Sequence, residues 1–158
     1  LETKEVCIAR ARWKVEFPAD FQLVAAMNPC PCGWFGHSYK PCRCRAEQIQ
    51  DYQSRISGPL LDRIDLHVKM TDSDQNWLDL PAGESSADVR IRVLSARVLQ
   101  SQRQQCSNAQ LLPAAIESSC LLTQEAKALL ARVVQHERLS ARSIQKIRRV
   151  ARTCADLN

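Results

Sequence analysis

The sequence lacks several features that would each direct a reading. Its 158 residues hold four Gly, three His, two Met and only 5% aromatic side chains. No apolar run approaches the ~20 residues that a membrane-spanning helix needs, so no span is expected. No GxxxxGK[ST] occurs, so these residues contain no phosphate-cradling P-loop. No acidic pair follows an apolar strand to hold magnesium. His37, His67 and His136 are too few and too scattered to organise hydrolysis, and no Ser/His/Asp order suggests a triad. Internal repeats and low-complexity tracts do not occur. No charged-then-apolar leader is visible, and a reducing, cytoplasmic compartment is the expectation.

What is present is an ordinary globular composition, 45% hydrophobic and 25% charged. Twenty-two basic residues against 17 acidic ones give a formal charge of +5, unevenly held. From Gly83 onward 12 cations face 6 acids, leaving −1 for residues 1–82. Sixteen of the cations are Arg and six are Lys. That preference suits bidentate contact with phosphate or carboxylate. Arg138, Arg142, Lys146, Arg148, Arg149 and Arg152 form a run without an acid; a charge run on a helix is more often a solvated face.

Eight cysteines are the second abundance. Four of them crowd into fifteen positions as Cys30-Pro-Cys32 and Cys42-Arg-Cys44. In a reducing compartment a cluster of this kind points to metal or redox chemistry ahead of structural disulfides. Four thiolates complete a tetrahedral zinc site, and a loop with three Pro and two Gly in thirteen positions has little core of its own to hold it. The one-residue spacing is shorter than most structural sites use. His37 is an alternate ligand; free thiols are the second reading and a disulfide or redox pair the third. Trp34, Phe35 and Tyr39 inside the loop can stack on bases or simply pack a small metal knuckle. Cys7, Cys106, Cys120 and Cys154 have apolar neighbours and are expected to be buried thiols.

Along the chain, Val6–Glu16 alternates as a β-hairpin ended by Pro18. Phe21–Met27 is an apolar run suited to a buried, parallel strand. Residues 29–45 form the Cys-rich loop. Ala46–Arg55 reads as a short helix, Pro59–Arg63 as one further helical turn and Ile64–Met70 as a strand. Thr71–Gly83 is acidic and polar, a linker. Helices follow. Ser85 caps one with Val89, Val93, Ala96 and Leu99 on one side. Pro113 opens a short one through Glu117. Thr123 caps a third with Ala126, Leu129, Leu130, Val133 and Val134 inward. Ser140 caps the last, with Ile144, Ile147, Val150, Ala151 and Cys154 inward. Asp62-Arg63, after Gly58-Pro59-Leu60-Leu61, is a structural ion pair or a means of presenting Arg63 to a neighbouring subunit's phosphate.

The stretches FPADFQLVAAMNPCPCGWFGH, CRC and YQSRISGPLLDRIDLHV resemble the magnesium-chelatase-like AAA+ ATPases, in the branch typified by competence protein M. SSADVRIRVLSAR, NAQL and LSARSIQKIRRVARTCADL resemble that family's C-terminal helical domain. The resemblance implies a fold that is α/β and then all-α: residues 1–72 as the C-terminal part of an AAA+ nucleotide-binding core, 73–82 as linker, and 83–158 as an α-helical lid. It implies a fragment lying beyond Walker A and Walker B, and a hexameric ring that uses ATP with magnesium. On that resemblance Asn28 falls at sensor 1, Arg63 at the arginine finger with Asp62 orienting it, and Arg142 at sensor 2. The hairpin falls at the pre-sensor-1 insertion, and Arg148, Arg149 and Arg152 are left to the surface or to DNA. The implied activity is helicase-like DNA branch migration in natural transformation and recombination, and the fragment alone is expected to be inactive. The alternatives are a chelatase motor subunit for metal insertion, a zinc-stapled binding module, or an ATPase linked to an ATP-dependent protease.

Overall fold

A computed structural model describes residues 4–10, 12–70 and 81–158. The chain divides into two compact units, Leu1–Ser73 and Asp74–Asn158. Most of the expected linker, 71–80, lies outside the described residues. The fold is mixed α/β: one two-stranded sheet and six α-helices among the described residues. No described helix is long and apolar enough to cross a membrane.

In the first unit, β1 (Glu5–Arg10) pairs antiparallel with β2 (Trp13–Pro18), from Glu5 opposite Pro18 to Arg10 opposite Trp13. This register places Val6, Ile8, Val15 and Phe17 on one face, and all four are exposed. Lys4 closes the open end through an ion pair with Asp20. The two further strands expected from the sequence are absent: residues 21–27 and 64–70 are irregular, with Phe21, Val24, Leu66 and Val68 exposed. The apolar runs are there, but a strand exists only as a pairing. No described strand flanks either segment to take up its backbone N–H and C=O groups. Two short helices follow the Cys-rich loop. They are α1 (Ala46–Ser54), and α2 (Gly58–Leu61), which is capped by Ser57 and has Pro59 in its first turn.

The second unit is helical: α3 (Ser86–Gln104), a 3-10 turn (Asn108–Gln110), α4 (Pro113–Ser119), α5 (Gln124–Glu137) and α6 (Ala141–Leu157). Ser85, Thr123 and Ser140 each accept a backbone N–H in the first turn of α3, α5 and α6. The C-termini of α3 and α5 close on Gln105 and Arg138 in left-handed conformation, a role usually given to glycine. Leu111, Ile116 and Cys120 form a small apolar core with Cys106 and Ala115 against it. Helix α6 packs on α3, the 3-10 turn and α4.

The face that α6 turns inward matches the expected one only in part. Ile144 and Val150 are half-buried, but Ile147, Ala151 and Cys154 are exposed, whereas Asp156 is buried and Arg148 and Arg152 are half-buried. The Asp156 carboxylate explains this. It takes two bonds from Arg103 at 2.8 Å, one from Asn108 at 2.9 Å and two from Arg152 at 2.8 and 3.0 Å. Arg148 donates to the Ile116 and Cys120 carbonyls at the C-terminus of α4, where a cation meets the negative end of the helix, and pairs with Glu117. Arg149 donates to the Ala109 carbonyl. These three arginines all bond to groups of their own chain. On α3 the buried positions are Ala96 and Gln100, with Leu99 exposed. On α5 Ala126, Leu130 and Val134 are half-buried, while Leu129 and Val133 are exposed. Cys120 is buried and Cys106 half-buried, but Cys7 and Cys154 are exposed, contrary to expectation, because neither the hairpin nor the outer face of α6 is covered among the described residues.

Candidate functional site

The Cys-rich loop is built from two tight turns. The Gly33 amide bonds the Cys30 carbonyl at 3.0 Å and the His37 amide bonds the Trp34 carbonyl at 3.2 Å. Gly33 and Gly36 stand at φ +82° and +81°, where an L side chain is strained, so glycine is required at both. The turns fold Cys30 back on Cys32, and the returning half of the loop brings Cys42 and Cys44 to the same place. Sulfur separations are 3.4 Å for Cys30–Cys32, 3.7 Å for Cys30–Cys42 and 3.6 Å for Cys32–Cys42. All four Sγ atoms lie within 4.8 Å of one another. Sulfurs at 2.3 Å from a tetrahedral zinc stand about 3.8 Å apart, so the observed spacing suits one metal ion and not a disulfide. Cys30 is buried and the other three are half-buried.

The electrostatics of the group also suit a cation. Bonds from the Trp34 and Arg43 backbone amides hold the Cys32 thiol down at about 6. Cys42 receives the Cys44 amide at 3.4 Å, which favours its thiolate, yet burial and the neighbouring thiols push it up to about 12. Cys44 is raised as well, although an amide bond at Cys32 opposes the shift. One thiolate is stable and further ionisation is resisted by its neighbours; a divalent ion at the centre reverses that resistance. The four cysteines therefore fit zinc. His37, the expected alternate, is not part of this sulfur group. Its Nδ1 accepts the backbone amides of Tyr39 at 3.0 Å and Lys40 at 3.2 Å.

Helix α1 starts directly behind Cys44, where the Gln48 carbonyl oxygen takes the Arg45 amide at 3.0 Å. Near its other end Gln53 donates to the Pro29 carbonyl at 3.0 Å. The helix thus braces both ends of the loop, and Asn28, exposed, is the residue just before it. Arg63 is exposed just beyond α2, its Nη1 donating to the Pro59 carbonyl at 2.8 Å. Arg142 is half-buried in the first turn of α6, in the second unit. The structure brings the four cysteines together; Asn28 precedes their loop, Arg63 follows α2, and Arg142 belongs to the second unit. Sequence reasoning missed Lys40, whose ammonium sits 4.2 Å above the Trp34 ring, and the Asp156 cluster. The available signal for the latter was Arg152 and Asp156 at i, i+4 with Asp156 the last acid of the chain.

The profile of magnesium chelatase subunit ChlI matches residues 1–78, and that of the ChlI C-terminal part matches residues 83–158. The chain is 41% identical over 159 residues to competence protein ComM of Haemophilus influenzae, an alignment covering 99% of the chain and 31% of ComM. To YifB of Escherichia coli it is 40% identical over 160 residues, covering 100% and 31% respectively. A Mycobacterium tuberculosis relative is 35% identical over 161 residues, covering 99% of the chain and 32% of that protein. The chain thus spans about a third of the length of the curated relatives it matches. Matched almost end to end by the two ChlI profiles, and similar throughout to ComM and YifB, the chain belongs to the magnesium-chelatase-like family, in its ComM/YifB branch.

Proposed function

We propose that this chain is the C-terminal portion of a cytoplasmic AAA+ ATPase of the competence-protein type, working as a hexameric ring that remodels DNA. The observation that carries the reading is the unbroken similarity to ComM across both parts of the chain. Residues 1–72 complete the nucleotide-binding core and 83–158 form its helical lid. Magnesium-bound ATP supplies the phosphoryl group whose transfer to water drives the ring. Arg63 reaches the nucleotide of the adjacent subunit and stabilises charge as it develops, a role worth ~10³–10⁵ in rate in other phosphoryl-transfer enzymes. Its bond to Pro59 holds the guanidinium until that partner arrives. Asn28 orients the attacking water and Arg142 contacts phosphate from the lid. The Cys30, Cys32, Cys42 and Cys44 group holds structural zinc, and with α1 it fixes the chain just after Asn28.

The test is a chimera in which this chain replaces the matching third of Haemophilus influenzae ComM. ATP turnover is expected from the chimera and none from the 158-residue chain, which has no P-loop. Arg63→Ala should lower turnover by roughly 10³ or more while ATP still binds. Full turnover by that variant, or hydrolysis by the chain alone, would overturn the assignment. DNA binding by the chimera should fall steeply with salt. Its absence at all salt concentrations favours a metal-insertion motor, the function the ChlI similarity suggests.

A further inference from the structure

We infer that the tip of the Cys30–Cys44 loop is a stacking platform for unpaired nucleobases. The inference rests on the DNA reading above and names the surface that touches the strand. Three of the eight aromatic residues of the chain, Trp34, Phe35 and Tyr39, fall within six positions of this loop. Their exposures are 37%, 49% and 70%. Rings that served to hold the loop together would be covered, and with the four sulfurs gathered by a metal the loop does not need them as a core. Trp34 and Tyr39 meet His37 edge-on, at centroid distances of 4.8 and 6.3 Å, rather than in face-to-face stacks.

The metal-binding thiolates apart, the charged side chains around these rings are of one sign. Between Asp20 and Glu47 there is no acidic residue, while Lys40, Arg43 and Arg45 are all exposed. Four thiolates around one divalent ion carry two negative charges, so the three cations still leave the loop positive. Lys40 covers one face of the Trp34 ring at 4.2 Å and so keeps an ammonium at the loop tip for a phosphate, with Phe35 and Tyr39 the more exposed rings for a base. Stacking is tolerant of sequence, because every base has a flat face, and it requires bases that are not already stacked in a duplex. The occupant is therefore a single strand, with little preference among bases.

The 158-residue chain carrying one zinc, with Trp13→Phe and Trp77→Phe leaving Trp34 as the single indole, is titrated with a 20-nucleotide oligothymidylate. The same titration uses its abasic counterpart and a duplex of equal length. Quenching of Trp34 by oligothymidylate and clearly weaker binding of the abasic and duplex forms are expected. Phe35→Ala and Tyr39→Ala should each weaken binding roughly 5- to 150-fold, with zinc content unchanged as the check on folding. Lys40→Gln should reduce the salt slope by about 0.7. Equal binding of the oligothymidylate and its abasic counterpart, or no loss in the double ring variant with zinc retained, would overturn the inference while leaving the DNA reading intact. Failure of the ComM chimera to bind any DNA would remove both. Ring-dependent binding of polyglutamate in place of oligothymidylate would assign the surface to an acidic protein partner and overturn the inference.

Discussion

Replacing Asp156 by Asn changes one atom and removes the charge that organises the helical unit. The wild-type side chain is fully buried and accepts five hydrogen bonds from Arg103, Asn108 and Arg152. Removing one partner of a buried charge pair typically costs 3–5 kcal/mol. Here the released guanidinium groups remain 25% and 32% exposed and water can reach them, so the expected loss is about 2–4 kcal/mol. For a unit of this size that lowers the melting temperature by on the order of 10–25 °C, measurable by thermal unfolding followed by circular dichroism. Glu117→Gln is the control: Glu117 is mostly exposed and its partner Arg148 keeps two carbonyls of α4, so the cost should stay under ~1 kcal/mol. The pH dependence gives a second reading. The Arg103 bonds hold the Asp156 carboxyl well below the usual carboxylate range. Its contribution is therefore complete above the unfolded value near pH 4 and is lost as pH falls below it. Wild-type stability should drop in that acid range more steeply than that of Asp156→Asn. A loss under ~1 kcal/mol with an unchanged acid profile would refute this account of the helical unit.

Gln105→Gly and Arg138→Gly remove left-handed strain at the ends of α3 and α5, and each should raise stability by up to ~1 kcal/mol in denaturant titrations. Thr123→Ala should cost about 1 kcal/mol through the lost cap of α5. Zinc affinity, followed with a competing chelator, should rise by at least about 100-fold per pH unit between pH 6 and 8, because the raised thiols of Cys42 and Cys44 must each lose a proton to bind. A pH-independent affinity would contradict the thiolate assignment.

What was legible in the sequence was local. Ser85, Thr123 and Ser140 cap helices where their spacing to the first turn says they should, and the hairpin around Trp13 follows from alternation between neighbouring segments. The runs Phe21–Met27 and Ile64–Met70 have strand character, yet strand formation depends on partners that a run of residues cannot specify. The inward face of α6 was legible at Ile144 and Val150 but not at Ile147 and Cys154, which hydrophobicity alone places inside. Five bonds to one carboxylate, and long arginine stems that bury their methylenes, outweigh that preference. The four cysteines were evident from spacing, but their convergence depends on Gly33 and Gly36 turning the chain twice within eight residues. The setting of His37 was not legible either: the second turn commits its Nδ1 to two backbone amides.

The four-sulfur centre is the most direct point of test. Elemental analysis of the 158-residue chain purified without added metal should find about one zinc per chain, with Cys30, Cys32, Cys42 and Cys44 protected from thiol reagents until a chelator is added. Protein without zinc, and with all four of these thiols reacting freely, would contradict it.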